Sequence, residues 1–194
     1  MARLARAALV APSVLAAMLV PTSECRATPQ WNVGVVAGVC GEGDRDAVWD
    51  STCLYSALRG DVLFGRTGDR DAAAGPYVEV ASADLADMRL AGGGELLLPI
   101  TEYIPVVLSA GAYARKNELG WEPGLTTRLF FGARSYNFHS TYGIAGGLLT
   151  GFDYGLGDSK EVLIVIGLQI DGLLITLPFV AGYEWLRGPP DEEE

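Results

Sequence analysis

The sequence predicts an all-β protein: a single closed antiparallel up-and-down β-barrel of about eight strands, or ten, built to cross a membrane. Three observations predict it. Short runs of alternating apolar and polar residues recur along the chain, separated by clusters of Gly, Asp, Pro and Asn, and no helical pattern of convincing length interrupts them. Each run has one oily face and one face of glycine with occasional charge of either sign. The chain also opens with the signature of an exported protein.

That opening is MARLARAALVAPSVLAAMLVPTSECRA, in which Arg3 and Arg6 precede an apolar run from Ala7 to Val20 and a short region of small and polar residues. The pattern is that of a cleaved secretory signal. Its apolar run is shorter than the ~20 residues a spanning helix needs. Glu24 directly before Cys25 departs from a lipoprotein signal, so cleavage is expected after Ala27. Residues 28–187 then form the barrel domain, and 188–194 an acidic tail ending in DEEE. Removing residues 1–27 takes the formal charge from -10 to -12. An acidic chain without a basic cluster excludes nucleic acid, whose binding rests on counterion release by lysines and arginines.

Candidate strands are 31–39, 53–66, 75–83, 88–98, 105–116, 124–136, 142–155, 160–170 and 173–186. Nine is odd, so one is misjudged. Between the first two, Cys40 and Cys53 bracket CGEGDRDAVWDSTC and are expected to pair in an oxidising compartment. Two thiolates without a neighbouring histidine make a poor metal site. Glu42, Asp44, Asp46 and Asp50 lack the spacing of a calcium loop and read as a solvated connection. The glycine runs at 92–94 and 146–147 match no phosphate-binding motif. No cofactor or metal is expected.

The strands that follow share one design. In GPYVEVAS, Glu79 opposes Val78 and Val80; in RLAGGGELLL, Arg89 and Glu95 oppose Leu90, Leu96 and Leu98. PVVLSAGAYARK sets Val106, Leu108 and Ala110 against Ser109, Tyr113 and Arg115. GLTTRLFFGARSY sets Leu125, Leu129 and Phe131 against Thr126, Arg128 and Arg134, with Thr127 and Phe130 out of pattern. GIAGGLLTGFDYG sets Leu148, Phe152 and Tyr154 against Gly147, Gly151 and Asp153.

The stretch EVLIVIGLQIDGLLITLPFV at 161–180 has the length of a spanning helix. As a helix it would put Asp171 at the bilayer centre, at roughly 2.5–3.5 kcal/mol. Asp171-Gly172 instead suggests a two-residue turn, pairing Ile170 with Leu173, Leu168 with Ile175 and Ile166 with Leu177. Gln169 and Glu161 then share the polar face.

Alternation by itself fits a soluble barrel turned inside out. The oily faces here are long and nearly unbroken, while the polar faces mix both signs of charge with glycine: Arg59, Asp61, Glu79, Arg89, Glu95, Arg115, Arg128, Arg134, Asp153, Glu161 and Glu184, with Gln169. Opposed charges can satisfy one another inside a small barrel, and closure leaves no unpaired backbone edge in lipid. Tyr103, Trp121, Tyr136, Tyr142, Tyr154 and Trp185 lie near strand ends, where interfacial girdles place aromatics.

From signal peptide to last strand the chain resembles small bacterial outer-membrane β-barrel proteins of the eight-stranded kind. In LPFVAGYEWLRG, Phe179, Tyr183 and Trp185 are similar to the spaced aromatics that end such barrels, although here Leu186 to Glu194 follow. The resemblance implies residence in the bacterial outer membrane with lipid as partner. It also implies a lumen filled by side chains and a structural role or interactions carried by the loops. Two other functions compete. One is a soluble exported lipocalin-like barrel holding a small apolar ligand. The other is a lipid hydrolase using His139, the single histidine, with Ser140, because GARSYNFHSTYG looks faintly like the active strand of outer-membrane lipid A deacylases. Neighbours on a strand point to opposite faces, which argues against a His139–Ser140 pair and for a non-enzyme.

Overall fold

The structure, a computed structural model, describes residues 28–68, 70–101, 104–117, 120–134 and 146–172. Eight strands follow one another: β1 (Gln30–Gly43), β2 (Ser51–Leu63), β3 (Ala73–Ala83), β4 (Asp87–Pro99), β5 (Pro105–Asn117), β6 (Gly120–Ala133), β7 (Gly146–Gly155) and β8 (Val162–Asp171). Each pairs antiparallel with the next, and β8 returns to β1 to close the barrel. The period-two pattern dictates this sheet. Side chains alternate between faces, so one register buries most of the strand charges and exposes most of the large aliphatics, and a slip of one residue would reverse both.

The closing seam corrects one sequence expectation. Ile166 lies opposite Val39 on β1 and Thr150 on β7, so both edges of β8 are occupied and none remains for a hairpin about Asp171-Gly172. Asp171 ends β8 beside Gly34, facing inward. The candidate strand 173–186 lies outside the described residues, as do the signal segment, Glu184 and the terminal aromatics; the barrel closes at eight strands without it. Elsewhere the expected strands are found with shifted ends: 53–66 becomes Ser51–Leu63, 124–136 becomes Gly120–Ala133, and 142–155 becomes Gly146–Gly155.

Several inward glycines serve closure. Gly93 on β4 lies directly opposite Gly111 on β5, and a Cβ at Gly93 would overlap the Ala110 carbonyl and the Gly111 Cα. Backbones approach there too closely for any side chain, as at a barrel corner. Gly38–Gly167 across β1 and β8, and Gly132–Gly147 across β6 and β7, repeat the arrangement.

Because the strands alternate in direction, Gln30 of β1 and Asp171 of β8 lie at one end, here called proximal, with 64–68, 70–72, 100–101, 104 and 134. The distal end carries 44–50, 84–86 and 156–161. Trp49 folds back over Gly41 on the outer wall and donates its Nε1–H to Thr52 Oγ1 at 3.1 Å. In the β3–β4 turn Asp84 and Leu85 adopt positive φ, and the Asp84 carboxylate accepts the Leu54 N–H at 2.7 Å. At the proximal end Asp71 accepts from the Thr67 hydroxyl and from the Thr67 and Gly68 amides. These donors hold its carboxyl below the ordinary 3.8. A lowered folded-state value stabilises that turn above the ordinary carboxyl range, and the effect is lost as pH falls through it.

Cys40 and Cys53 are cross-strand partners, buried in the interior and joined by a disulfide as expected. The bridge closes the β1–β2 connection across a sequence separation of 13. Loop-closure entropy for such a segment is about 3 kcal/mol. Replacing both cysteines with alanine should lower unfolding free energy in lipid vesicles by about that amount, and mass spectrometry of the unreduced protein should find the two peptides joined. Free thiols in the unreduced protein would contradict the assignment.

Candidate functional site

The barrel carries its charges inside, interspersed with buried apolar side chains such as Leu63, Leu97, Leu149 and Leu163, and is apolar outside. On β3, Val78 is 63% exposed while its neighbour Glu79 is 1% exposed. Leu54, Leu58, Leu90, Leu108, Leu125, Leu129, Phe131, Phe152, Ile166 and Leu168 all face outward. On β6 the outward row runs from Trp121 to Phe131, ten residue steps that at ~3.3 Å each and a ~40° tilt span about 25 Å, the height of a bilayer's apolar band. Thr127 interrupts that row, but its hydroxyl donates to the Phe152 carbonyl at 3.3 Å, so no free polar group faces outward there. Phe130, the other residue out of pattern, is buried inside against the Arg134 guanidinium.

Inside, the charges stack as one column, linked by ion pairs from Asp61 through Arg134 and Glu95 to Glu42 and capped proximally by an Asn32–Asp171–Gln169 cluster. At the proximal end Asn32 donates to Asp171 at 2.9 Å and Gln169 donates to the same carboxylate at 3.3 Å. Arg134 pairs with Asp61 at 2.5 Å. Arg59 bridges Glu95 at 2.8 Å and Glu79 at 3.2 Å, bonds Ser109, and stacks over the Tyr77 ring. Midway, Arg128 joins Glu79 at 2.9 Å to Asp153 at 2.5 Å and reaches the Tyr55 hydroxyl at 3.1 Å, while that hydroxyl donates to Glu79. Asp153 also accepts from Thr126 at 2.7 Å and Arg89 at 3.3 Å. Distally, Arg89 pairs with Asp87 at 2.6 Å and with Glu161; Arg115 pairs with Asp87 at 2.9 Å, Glu161, and Glu42 at 3.4 Å across the barrel.

Charges taken out of water are tolerated only when each meets opposite charge and hydrogen bonds together, and removing one partner strands the other. The column meets that condition by lateral sharing: Glu79, Asp153 and Asp87 each serve two arginines. Small residues provide the room. A Cβ at Gly151 would strike the Arg128 side chain, and one at Gly124 would strike the Tyr113 ring.

Of the interior network read from sequence, Arg89, Glu95, Arg115, Arg128, Arg134, Asp153, Glu161 and Gln169 all belong to the column. Glu184, His139 and Ser140 lie outside the described residues. The structure adds Asn32, Tyr55, Asp87 and Asp171. Glu42, expected in a solvated loop, instead ends β1 and faces Arg115. Parity along the strand was the available signal for Asn32, Tyr55 and Glu42. Asp171 was obscured by its fit to a turn. Asp44, by contrast, is a loop residue; its carboxylate accepts from the Ala47 and Asp46 amides, which hold it below its ordinary value.

An eight-stranded barrel with charges inside and a broad apolar wall outside is a membrane-embedded β-barrel, because that wall has no other solvent. No family model matches the chain, and no curated protein matches it. Among solved structures, it is similar to Ail of Yersinia pestis in complex with the heparin analogue sucrose octasulfate. The identity is 11%, over 74% of this chain and 98% of that one, with a TM-score of 0.40. A de novo designed transmembrane β-barrel is similar at 11% identity, over 72% of this chain and 94% of that one, with a TM-score of 0.40.

Proposed function

We propose that the protein is an exported barrel of the bacterial outer membrane whose lumen is closed to solutes. Its role is structural, or is carried by interactions of the connections at its two ends. The observation behind this is the column itself: side chains from opposite walls, such as Glu42 on β1 and Arg115 on β5, meet across the interior from one end to the other. The lipocalin-like alternative needs an apolar interior, and Glu79, Arg89, Arg128 and Asp153 occupy that space instead. The chain reads as a non-enzyme.

The experiment is conductance across planar lipid bilayers containing the purified protein. No stable ionic current is expected, and a steady open-channel current from the wild-type protein would overturn the closed lumen. A companion test addresses the wall. Ile166→Arg, at an outward position between Val39 and Thr150, should lower stability in lipid vesicles by about 2–4 kcal/mol, as for arginine near the bilayer midplane. A substitution at the loop residue Asp46 should cost little. Equal tolerance at the two sites would remove the membrane assignment.

A further inference from the structure

The outer wall is not uniform around the barrel. On β4, β5 and β6, Gly94, Ala110 and Thr127 lie side by side in register, and the next outward row toward the proximal end is Leu96, Leu108 and Leu129. The row of small residues runs into Phe152 on β7. Together they outline a groove of about 830 Å³ that crosses the wall toward β8. The opposite wall also carries a row of small residues, Ala37, Ser56 and Ser82 on β1 to β3, but there Ser82 is buried, and the adjacent row of Val35, Leu58, Val80 and Leu90 is continuous and branched.

We propose that this groove seats one acyl chain of a membrane lipid, held in preference to the lipid around the rest of the barrel. The inference rests on the membrane-embedded barrel described above. Three features select this occupant. Thr127 lies near the middle of the outward row from Trp121 to Phe131, so the groove sits at the depth of the hydrocarbon core and is continuous with the lipid-facing belt. Its lining is mostly apolar: the Thr127 hydroxyl is turned back to the Phe152 carbonyl, Thr150 adds one small outward hydroxyl, and Glu95 and Arg128 direct their charges into the interior, so no charged group there faces a headgroup. Finally, a second barrel would present a convex wall, which rides over a depression instead of filling it. A flexible chain can lie along the floor and gain contact with both sides, and voids left unfilled forfeit dispersion contacts.

The test uses the full-length protein reconstituted in phosphatidylcholine vesicles carrying a fraction of phospholipid with a photoactivatable diazirine at mid-chain. After irradiation, adducts are mapped by peptide mass spectrometry. Adducts should be enriched several-fold on peptides holding Leu108, Leu129 and Phe152 over those holding Val35, Leu58 and Val80. Ala110→Phe should remove the enrichment while leaving folding and overall labelling unchanged. Thr127→Leu, which fills the floor less, should reduce it and serves if the larger variant misfolds. Equal labelling of the two walls in the wild-type protein would overturn the proposal. So would intermolecular crosslinking of an Ala110→Cys variant at high lipid dilution, which would assign the groove to a second copy. Loss of detergent-dependent extraction would instead remove the membrane reading beneath it, so the two failures are distinguishable.

Discussion

Arg128→Met should lower the stability of the barrel in lipid vesicles by about 3–5 kcal/mol, the range for breaking a buried ion pair from one side. Arg128 is the joint of the column. Its guanidinium lies between Glu79 on β3 and Asp153 on β7, with the Tyr55 hydroxyl beside it, and it is almost fully buried. Methionine keeps the bulk beside Gly151 but supplies no charge. Glu79 would retain Arg59 and Tyr55, and Asp153 would retain Thr126 and Arg89, so the cost is the loss of shared charge at two carboxylates and not complete orphaning. Adding Asp153→Asn to Arg128→Met should recover part of the loss, since the second change removes a carboxylate left with too little positive charge. The measurement is reversible urea unfolding followed by tryptophan fluorescence. A loss below ~1 kcal/mol for Arg128→Met, the size of an exposed pair, would mean that water reaches the column.

Gly93→Val is expected to be at least as damaging as the ~3 kcal/mol upper end of ordinary overpacking, or to prevent barrel closure altogether. The new Cβ would meet backbone, the Ala110 carbonyl and the Gly111 Cα, and backbone cannot rotate aside as a flexible side chain can. Its neighbour provides the contrast. A Cβ at outward-facing Gly92 finds its nearest atom, the Tyr77 carbonyl oxygen, at 3.4 Å, an ordinary contact. Gly92→Ala should therefore be neutral or gain up to ~1 kcal/mol from reduced freedom of the unfolded chain. Folding yield read as the heat-dependent shift in gel mobility would separate the two. Normal folding of Gly93→Val would show that β4 and β5 do not approach as closely as the register implies.

Most of the fold was legible because a strand's period is two. Val78-Glu79-Val80 and Leu108-Ser109-Ala110 each declare which side chains share a face before any partner strand is known. The same parity placed Arg89, Glu95, Arg128 and Asp153 on the inner face, and the small-residue tolerance of a crowded interior was visible in the glycines. Strand ends were less legible, because pairing, not composition, terminates a strand in a closed sheet.

The sequence by itself determined the all-β class, the inside-out polarity, the cysteine pair and most members of the charged column, since each is a property of neighbouring residues. Only the tertiary structure decided that β8 spends both its edges on β1 and β7, so that Asp171 faces Asn32 and Gln169 inside the barrel instead of turning a hairpin. It alone decided which acids share which arginines, that Glu42 reaches Arg115, and that Gly94, Ala110 and Thr127 align into a groove. The physical reason is that periodicity is local whereas register and closure are not. An alternating strand specifies its faces through its own side chains, but which residue lies opposite another is set by the simultaneous pairing of every edge around the barrel.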